Sequence, residues 1–386
     1  MLILKNPSIE VKGEWCIVKT SLCDDNCYKE LFYAVENCYE KVLRTDSAPF
    51  LLWAVLIAIK EKEDLTIEGD CDSRLLYGIE KILFPAFEEM GFGRIPIIKA
   101  KNVVEYKQEV PAVGVATGLS GGIDSFYTVV SNLDGAIKLT HLVQFFSDRR
   151  KKDIEETVSL NSTKELDVWN DNIKEYLRLP IIKVFSNFNE YCNFPFDKIH
   201  AFCNVSHALL LNGAIKTYLY STGFSMEEIK LDFSDTSHYE LLICQVVNSS
   251  CFEMVSYLPV VSRMEKTISV AKSEIAQKYL HVCVRREIGE GNCTECFKCK
   301  RTLTTLDVIG KINLFANVFD LSLYKKNKRK TWGELLYRKR IMKDPFAKEI
   351  VNESKKQQYK KPTGSFWAMI GVGLRNQMQK LKRKFK

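Results

Sequence analysis

Apolar residues follow two rhythms along this chain. Up to about residue 108, helical spacing or unbroken apolar runs dominate, at residues 27–43, 48–60 and 73–90. Short extended segments, Leu65-Thr-Ile-Glu and residues 95–100, interrupt them, and Gly69-Asp-Cys-Asp suits a turn. The pattern predicts a small α+β domain over 1–108. Residues 48–59 form the longest uncharged apolar run, twelve residues ending at Lys60-Glu-Lys-Glu. A membrane span needs about twenty such residues, so the run predicts a buried helix. From about Pro111 short strands alternate with helices. Residues 113–119, 139–146, 181–185 and 216–223 read as buried strands, and 125–131, 165–177 and 200–215 as helices. That alternation predicts a doubly wound α/β fold with a mostly parallel sheet over 109–324. Ligands in such sheets bind where strands end and helices begin, near a reversal of strand order.

Composition narrows the class. With 386 residues, 46% hydrophobic and 27% charged, the chain is ordinary for a globular protein, which excludes wholesale disorder. Its start lacks a basic segment followed by a long apolar run, so no secretory signal is read. Thirteen cysteines then point to a reducing compartment, the cytoplasm.

Charge is unevenly divided. Of 56 Lys/Arg and 48 Asp/Glu, 20 and 4 lie in residues 325–386, leaving 36 and 44 for the remainder. A mildly acidic body therefore carries a basic, partly helical tail. Lys325-Lys-Asn-Lys-Arg-Lys330 and Lys380-Leu-Lys-Arg-Lys-Phe-Lys386 flank Phe366-Trp-Ala-Met-Ile-Gly-Val-Gly-Leu374. Such a segment suits RNA phosphates or an anionic membrane surface, or is simply solvated.

The first α/β strand delivers Ser120-Gly-Gly-Ile-Asp-Ser125, followed directly by the helical Phe126-Tyr-Thr-Val-Val. Paired glycines let backbone N–H groups approach a phosphate, Ser120 and Ser125 add hydroxyls, and the helix presents its positive end. Asp124 would repel a phosphate directly; it makes sense holding a bridging Mg²⁺ or orienting the loop. Downstream, Cys283, Cys293, Cys296 and Cys299 form a C-x9-C-x2-C-x2-C set with Gly291 and Asn292 at a turn. Residues 279–284 read as the strand that returns Cys283 to it. Four thiolates at this spacing satisfy tetrahedral Zn²⁺ with no open position, a structural site; an iron–sulfur cluster uses the same ligands.

The six-residue loop resembles the SGGxDS loop of the ATP pyrophosphatase superfamily. With the cysteine set near the end of the domain, the order of motifs resembles 7-cyano-7-deazaguanine synthase, in a divergent and larger form. Lys216-Thr-Tyr-Leu-Tyr-Ser-Thr-Gly-Phe-Ser225 looks like that family's late strand and nucleotide-side loop. Arg263-Met-Glu-Lys266 looks like its lysine-bearing helix start, and Asp232-Phe-Ser-Asp-Thr-Ser-His-Tyr239 stands for its Asp-Tyr loop. The resemblance covers about residues 111–310. It implies an adenine nucleotide alpha hydrolase-like fold and ATP, Mg²⁺ and Zn²⁺ as cofactors. Ser120, Gly121, Gly122 and Ser125 would contact pyrophosphate, Asp124 would hold Mg²⁺, and Lys266 would contact phosphate or substrate.

The implied reaction adenylates a small-molecule carboxylate and amidates it with ammonia or an amine, as far as a nitrile in the resembling family. A tRNA-thiolating enzyme and a catalytically silent nucleotide-binding module are the alternatives; a homodimer is a possible assembly. Residues 1–108 contain no histidine, which rules out a Cys/His glutaminase pair there. His200 and His207, seven apart on a helix, and His238 are candidates for substrate contact or for packing. Cys23 and Cys27, read on a helix, are expected as ordinary cysteines rather than ligands.

Overall fold

A computed structural model describes residues 1–25, 27–106, 112–134, 137–147, 153–192 and 194–384. The side chains of the terminal basic run from Lys380, and the 108/109 boundary expected from the sequence, lie outside the described residues. The chain forms two compact units. One comprises Met1–Leu119, Ser131–Thr163 and Leu177–Pro259; the other comprises Ser120–Val130, Lys164–Tyr176 and Val260–Lys386.

The first unit holds one eleven-stranded sheet: β1 (Leu2–Leu4), β2 (Ser8–Lys12), β3 (Trp15–Cys23), β4 (Tyr28–Glu36), β5 (Leu65–Asp72), β6 (Ile98–Val104), β7 (Gly114–Gly118), β8 (His141–Ser147), β9 (Ile181–Ser186), β10 (Ile215–Ser221) and β11 (Glu253–Tyr257). Their order is β11-β10-β7-β8-β9-β4-β3-β1-β5-β6, with β2 on β3. The stretch β11 to β9 is parallel throughout, β9-β4-β3-β1 antiparallel, and β1-β5-β6 parallel again. The fold is α/β with a mostly parallel sheet. Strand order reverses at β7, which lies between β10 and β8. From the carboxyl end of β7 the chain enters the Ser120–Ser125 loop.

Residues 1–106 are not a domain of their own, as the sequence suggested. They extend the same sheet, because β4 pairs with β9 in the register Tyr33↔Ser186 and Val35↔Val184. The helix expected over 27–43 is instead β4 followed by a 3₁₀ turn, Asn37–Val42. β4 lies between two strands with Leu31–Val35 all buried, and a strand covered on both faces carries an apolar run without alternation. Gly69 to Asp72 is not a turn either. It continues β5 through a register shift between Ile67 and Asp70. The strand expected over 95–100 begins at Ile98.

The uncharged run is the helix Ala48–Glu61, buried from Ala48 to Ile59. Tyr33 donates its hydroxyl hydrogen to the Pro49 carbonyl at 2.8 Å, Phe50 and Trp53 pack on its ring, and Phe188 packs on Trp53. No helix among the described residues is long and apolar enough to cross a membrane.

The second unit is helical. The basic segment is a folded part of it, not a solvated tail. Trp332, Leu335, Ala347, Ile350 and Val351 close a core with Met264 and Val308. Apolar positions on the helices Leu321–Tyr337 and Pro345–Lys356 face inward while their lysines face water.

Candidate functional site

The Ser120–Ser125 loop lies in the second unit and is stapled at both ends. Gly121 adopts φ +74° and accepts a hydrogen bond from the His281 N–H at 2.9 Å. Its absent Cβ would stand 3.0 Å from the His281 Cβ, so both the left-handed backbone and the close approach require glycine. The Ser120 N–H donates to Ser125 Oγ at 3.1 Å, and the Phe126 N–H to the Gly122 carbonyl at 2.9 Å, opening the helix Ile123–Ser131. Helix N–H groups of the first turn have no intrahelical acceptors and attract an anion.

Charge then gathers on Asp124. Arg263 Nη1 donates to its Oδ2, and Lys266 Nζ lies 3.7 Å from its Oδ1. The two cations stand three residues apart at the start of the helix Arg263–Val270, on one face. A capping box fixes that start. Ser262 Oγ accepts from the Glu265 N–H, and the Glu265 carboxylate accepts from the Ser262 N–H. Lys266 is only 2% exposed, and a buried ammonium requires such a partner.

Lys298 and Arg301, on the helix Phe297–Val308, complete a cationic cluster. Burial and then the neighbouring Arg301 and Arg263 push the Lys298 ammonium down. Burial and then Arg263 bring Arg301 down to about 9. Phe346 packs its ring against Arg301 at 4.2 Å and Arg263 at 5.7 Å. Arg263 and Lys266 contact the Asp124 carboxylate, Lys298 and Arg301 lie within its electrostatic range, and Asp344 also faces Arg301. Asp124 Oδ1 is buried and accepts no hydrogen bond, the kind of oxygen a Mg²⁺ would take up.

The cysteine set is the second centre. The sulfurs of Cys283, Cys293, Cys296 and Cys299 lie within 4.8 Å of one another, a four-thiol cluster that fits a metal ion such as zinc. Backbone N–H groups of Arg285, Cys296 and Cys299 point at Cys283, Cys293 and Cys296 sulfurs at 3.2–3.4 Å, and such bonds favour thiolates. At Cys283, burial raises the thiol, but hydrogen bonds from the Cys293, Arg285 and Arg286 backbone and the Cys293 side chain outweigh it and hold the group at about 7. All thirteen cysteines are free thiols. Residues 279–284 are not the expected strand. The helix Glu274–Tyr279 ends there, and Asn292 holds the next segment, accepting from the Val282 N–H and donating to the Leu280 and Val318 carbonyls. Cys296 caps the helix that carries Cys299, Lys298 and Arg301.

The chain matches no protein family, no curated protein and no solved structure.

The remaining sequence candidates belong to the first unit. His200 Nε2 bonds to Asp235 Oδ1 at 3.1 Å, with Ser237 Oγ at 3.3 Å. His207, on the same helix, is fully buried. Its Nδ1–H donates to the Cys203 carbonyl at 2.7 Å and its Nε2 accepts from Ser186 Oγ at 2.8 Å. Burial lowers it to about 4, so it is a neutral core imidazole. His238 donates to the Glu228 carbonyl at 2.8 Å beside Phe224. The three histidines share no hydrogen-bond partner among these contacts. Cys23 and Cys27 lie not on a helix but at the end of β3 and just before β4.

Sequence reasoning assigned no role to Arg263, Lys298 or Arg301. The one available signal was spacing, three residues from Arg263 to Lys266 and from Lys298 to Arg301.

Proposed function

We propose that the chain is an ATP- and Mg²⁺-dependent ligase of the 7-cyano-7-deazaguanine synthase-like type, with an adenine nucleotide alpha hydrolase-like fold and a structural zinc at the four cysteines. The observation that carries the reading is the contact of Arg263 and Lys266 with Asp124 beside the Gly121 loop, with Lys298 and Arg301 in electrostatic range. A cluster of cations beside helix N–H groups suits a polyphosphate.

The carboxylate is the element that needs activation, because its direct leaving group would be oxide. A substrate carboxylate oxygen attacks the α-phosphorus of ATP, and the bond to the β-phosphate oxygen breaks. Pyrophosphate leaves and an acyl-adenylate remains. Ammonia or an amine attacks the acyl carbon, loses a proton to solvent, and AMP departs. Gly121, Gly122 and the helix N–H groups bind the leaving pyrophosphate with Ser120 and Ser125. Arg263 and Lys266 exchange Asp124 for phosphate oxygens, which frees the carboxylate for Mg²⁺. A cytoplasmic location is part of this reading, and thirteen cysteines without a disulfide support it.

The test is pyrophosphate release from ATP and Mg²⁺ across a panel of small carboxylates, with and without bulk tRNA. Substrate-dependent release should fall by about 10²–10³ in Asp124→Ala and Lys266→Ala. Release that requires tRNA would replace this reading with a tRNA-modifying enzyme. Nucleotide binding without release on any carboxylate would leave a binding module.

A further inference from the structure

The helix Ser365–Lys384 has two apolar faces, and among the described residues one is packed and the other exposed. On the inner face, Val372 is buried, and Gly333 and Gly373 allow close packing against the helix Leu321–Tyr337. A Cβ on Gly333 would lie 2.6 Å from the Ala368 Cβ. On the outer face, Trp367, Ile370, Leu374 and Met378 are spaced three, four and four residues apart, which aligns them in one stripe. Trp367 is 73% exposed, and Leu374 and Met378 are each 58% exposed. Phe366 joins the stripe at its start, with the Arg340 guanidinium 5.5 Å from its ring.

Arg340 belongs to a cluster with Lys339, Lys348, Lys355 and Lys361. Burial, and then the nearby like charges of this cluster, hold the Lys339 and Lys361 ammonium groups below the usual lysine range. Among the described residues none of the five pairs with a carboxylate. An unneutralised cationic cluster thus stands at the head of an unpartnered apolar stripe.

We propose that this face docks on an anionic membrane surface, the stripe entering the boundary between headgroups and acyl chains while the cluster binds lipid phosphates. The combination is what an in-plane helix needs: an apolar face, a tryptophan for the interface, and cations for anionic headgroups. RNA would satisfy the cations and stack on Trp367, but it would leave Ile370, Leu374 and Met378 in water. A second copy would cover the stripe, but it would set one 20-to-4 basic segment against another.

The full chain is mixed, without ATP, with phosphatidylcholine vesicles containing or lacking a quarter of phosphatidylglycerol. Sedimentation and tryptophan emission are read at low and high salt. Expected are binding to the anionic vesicles only and a blue shift from Trp367, absent in Trp367→Phe. Partitioning should weaken about five-fold for each of Lys339→Ala and Lys355→Ala. It should weaken tenfold or more in the double variant Leu374→Glu, Met378→Glu, whose exposed positions leave the melting temperature unchanged. Equal or absent binding to the two vesicle types overturns the proposal. So does a stripe variant that binds like the native chain, the behaviour expected if phosphates alone, as in tRNA used as a competing probe, are recognised. A dimer abolished by the stripe variant, without vesicle binding, assigns the face to a second copy instead.

Discussion

Gly121 meets two constraints that together exclude a side chain. Its backbone is left-handed at φ +74°, and the His281 backbone passes where a side chain would begin. An alanine there faces about 1–2 kcal/mol of backbone strain before any contact with His281 is counted. Gly121→Ala is therefore expected to weaken ATP binding at least tenfold in calorimetric titration while the circular dichroism spectrum stays native. Unchanged affinity would show that the loop does not hold nucleotide. Lys266 illustrates the opposite dependence. Its burial is made tolerable in part by Asp124, so removing that carboxylate takes a counter-charge away from a buried ammonium.

The helix Phe297–Val308 ties the two centres of the second unit together. Cys296 caps it, Cys299 belongs to the four-thiol cluster, and Lys298 and Arg301 lie within electrostatic range of Asp124. The segment before it works the same way. His281 holds Gly121, Val282 is held by Asn292, and Cys283 is a thiol of the cluster. A metal at the four sulfurs would thus brace the Gly121 loop through this segment. Cys299→Ser is expected to lower bound metal, read by elemental analysis. It should also speed amide hydrogen exchange at least tenfold across residues 280–283, while β9 in the first unit keeps its protection. Unaltered exchange after metal loss would mean that Asn292 alone holds the segment.

At the scale of the molecule, the C-terminal 62 residues are structural before they are anything else. Trp332 is fully buried against Met264 and Val308, so the basic segment supplies core as well as charge. Trp332→Ala should cost about 3–5 kcal/mol in the second unit. In urea this is expected as an early transition that leaves the sheet signal intact. Truncation after residue 324 should yield an aggregating chain, because the partners of Met264 and Val308 go with it. A truncated chain that melts like the native one would contradict this role.

Sequence by itself determined what is local. The Ser120–Ser125 loop, the four cysteines, the Ala48–Glu61 helix and the strands β7 to β10 were legible, because each is specified by neighbours in the chain: paired glycines, x2 spacing, an uncharged run, alternation of strand and helix. Only tertiary structure decided what depends on distant partners. β4 looked helical because its apolar run lacks alternation, and it becomes a strand because β3 and β9 flank it. The merging of residues 1–106 into one sheet follows from that pairing. Arg263, Lys298 and Arg301 were three cations among 56 until folding brought them to Asp124. The stripe on the last helix became distinct from its packed face only once one side had been covered. Burial and electrostatic convergence are sums over neighbours in space, and the order of residues along a chain does not contain those sums.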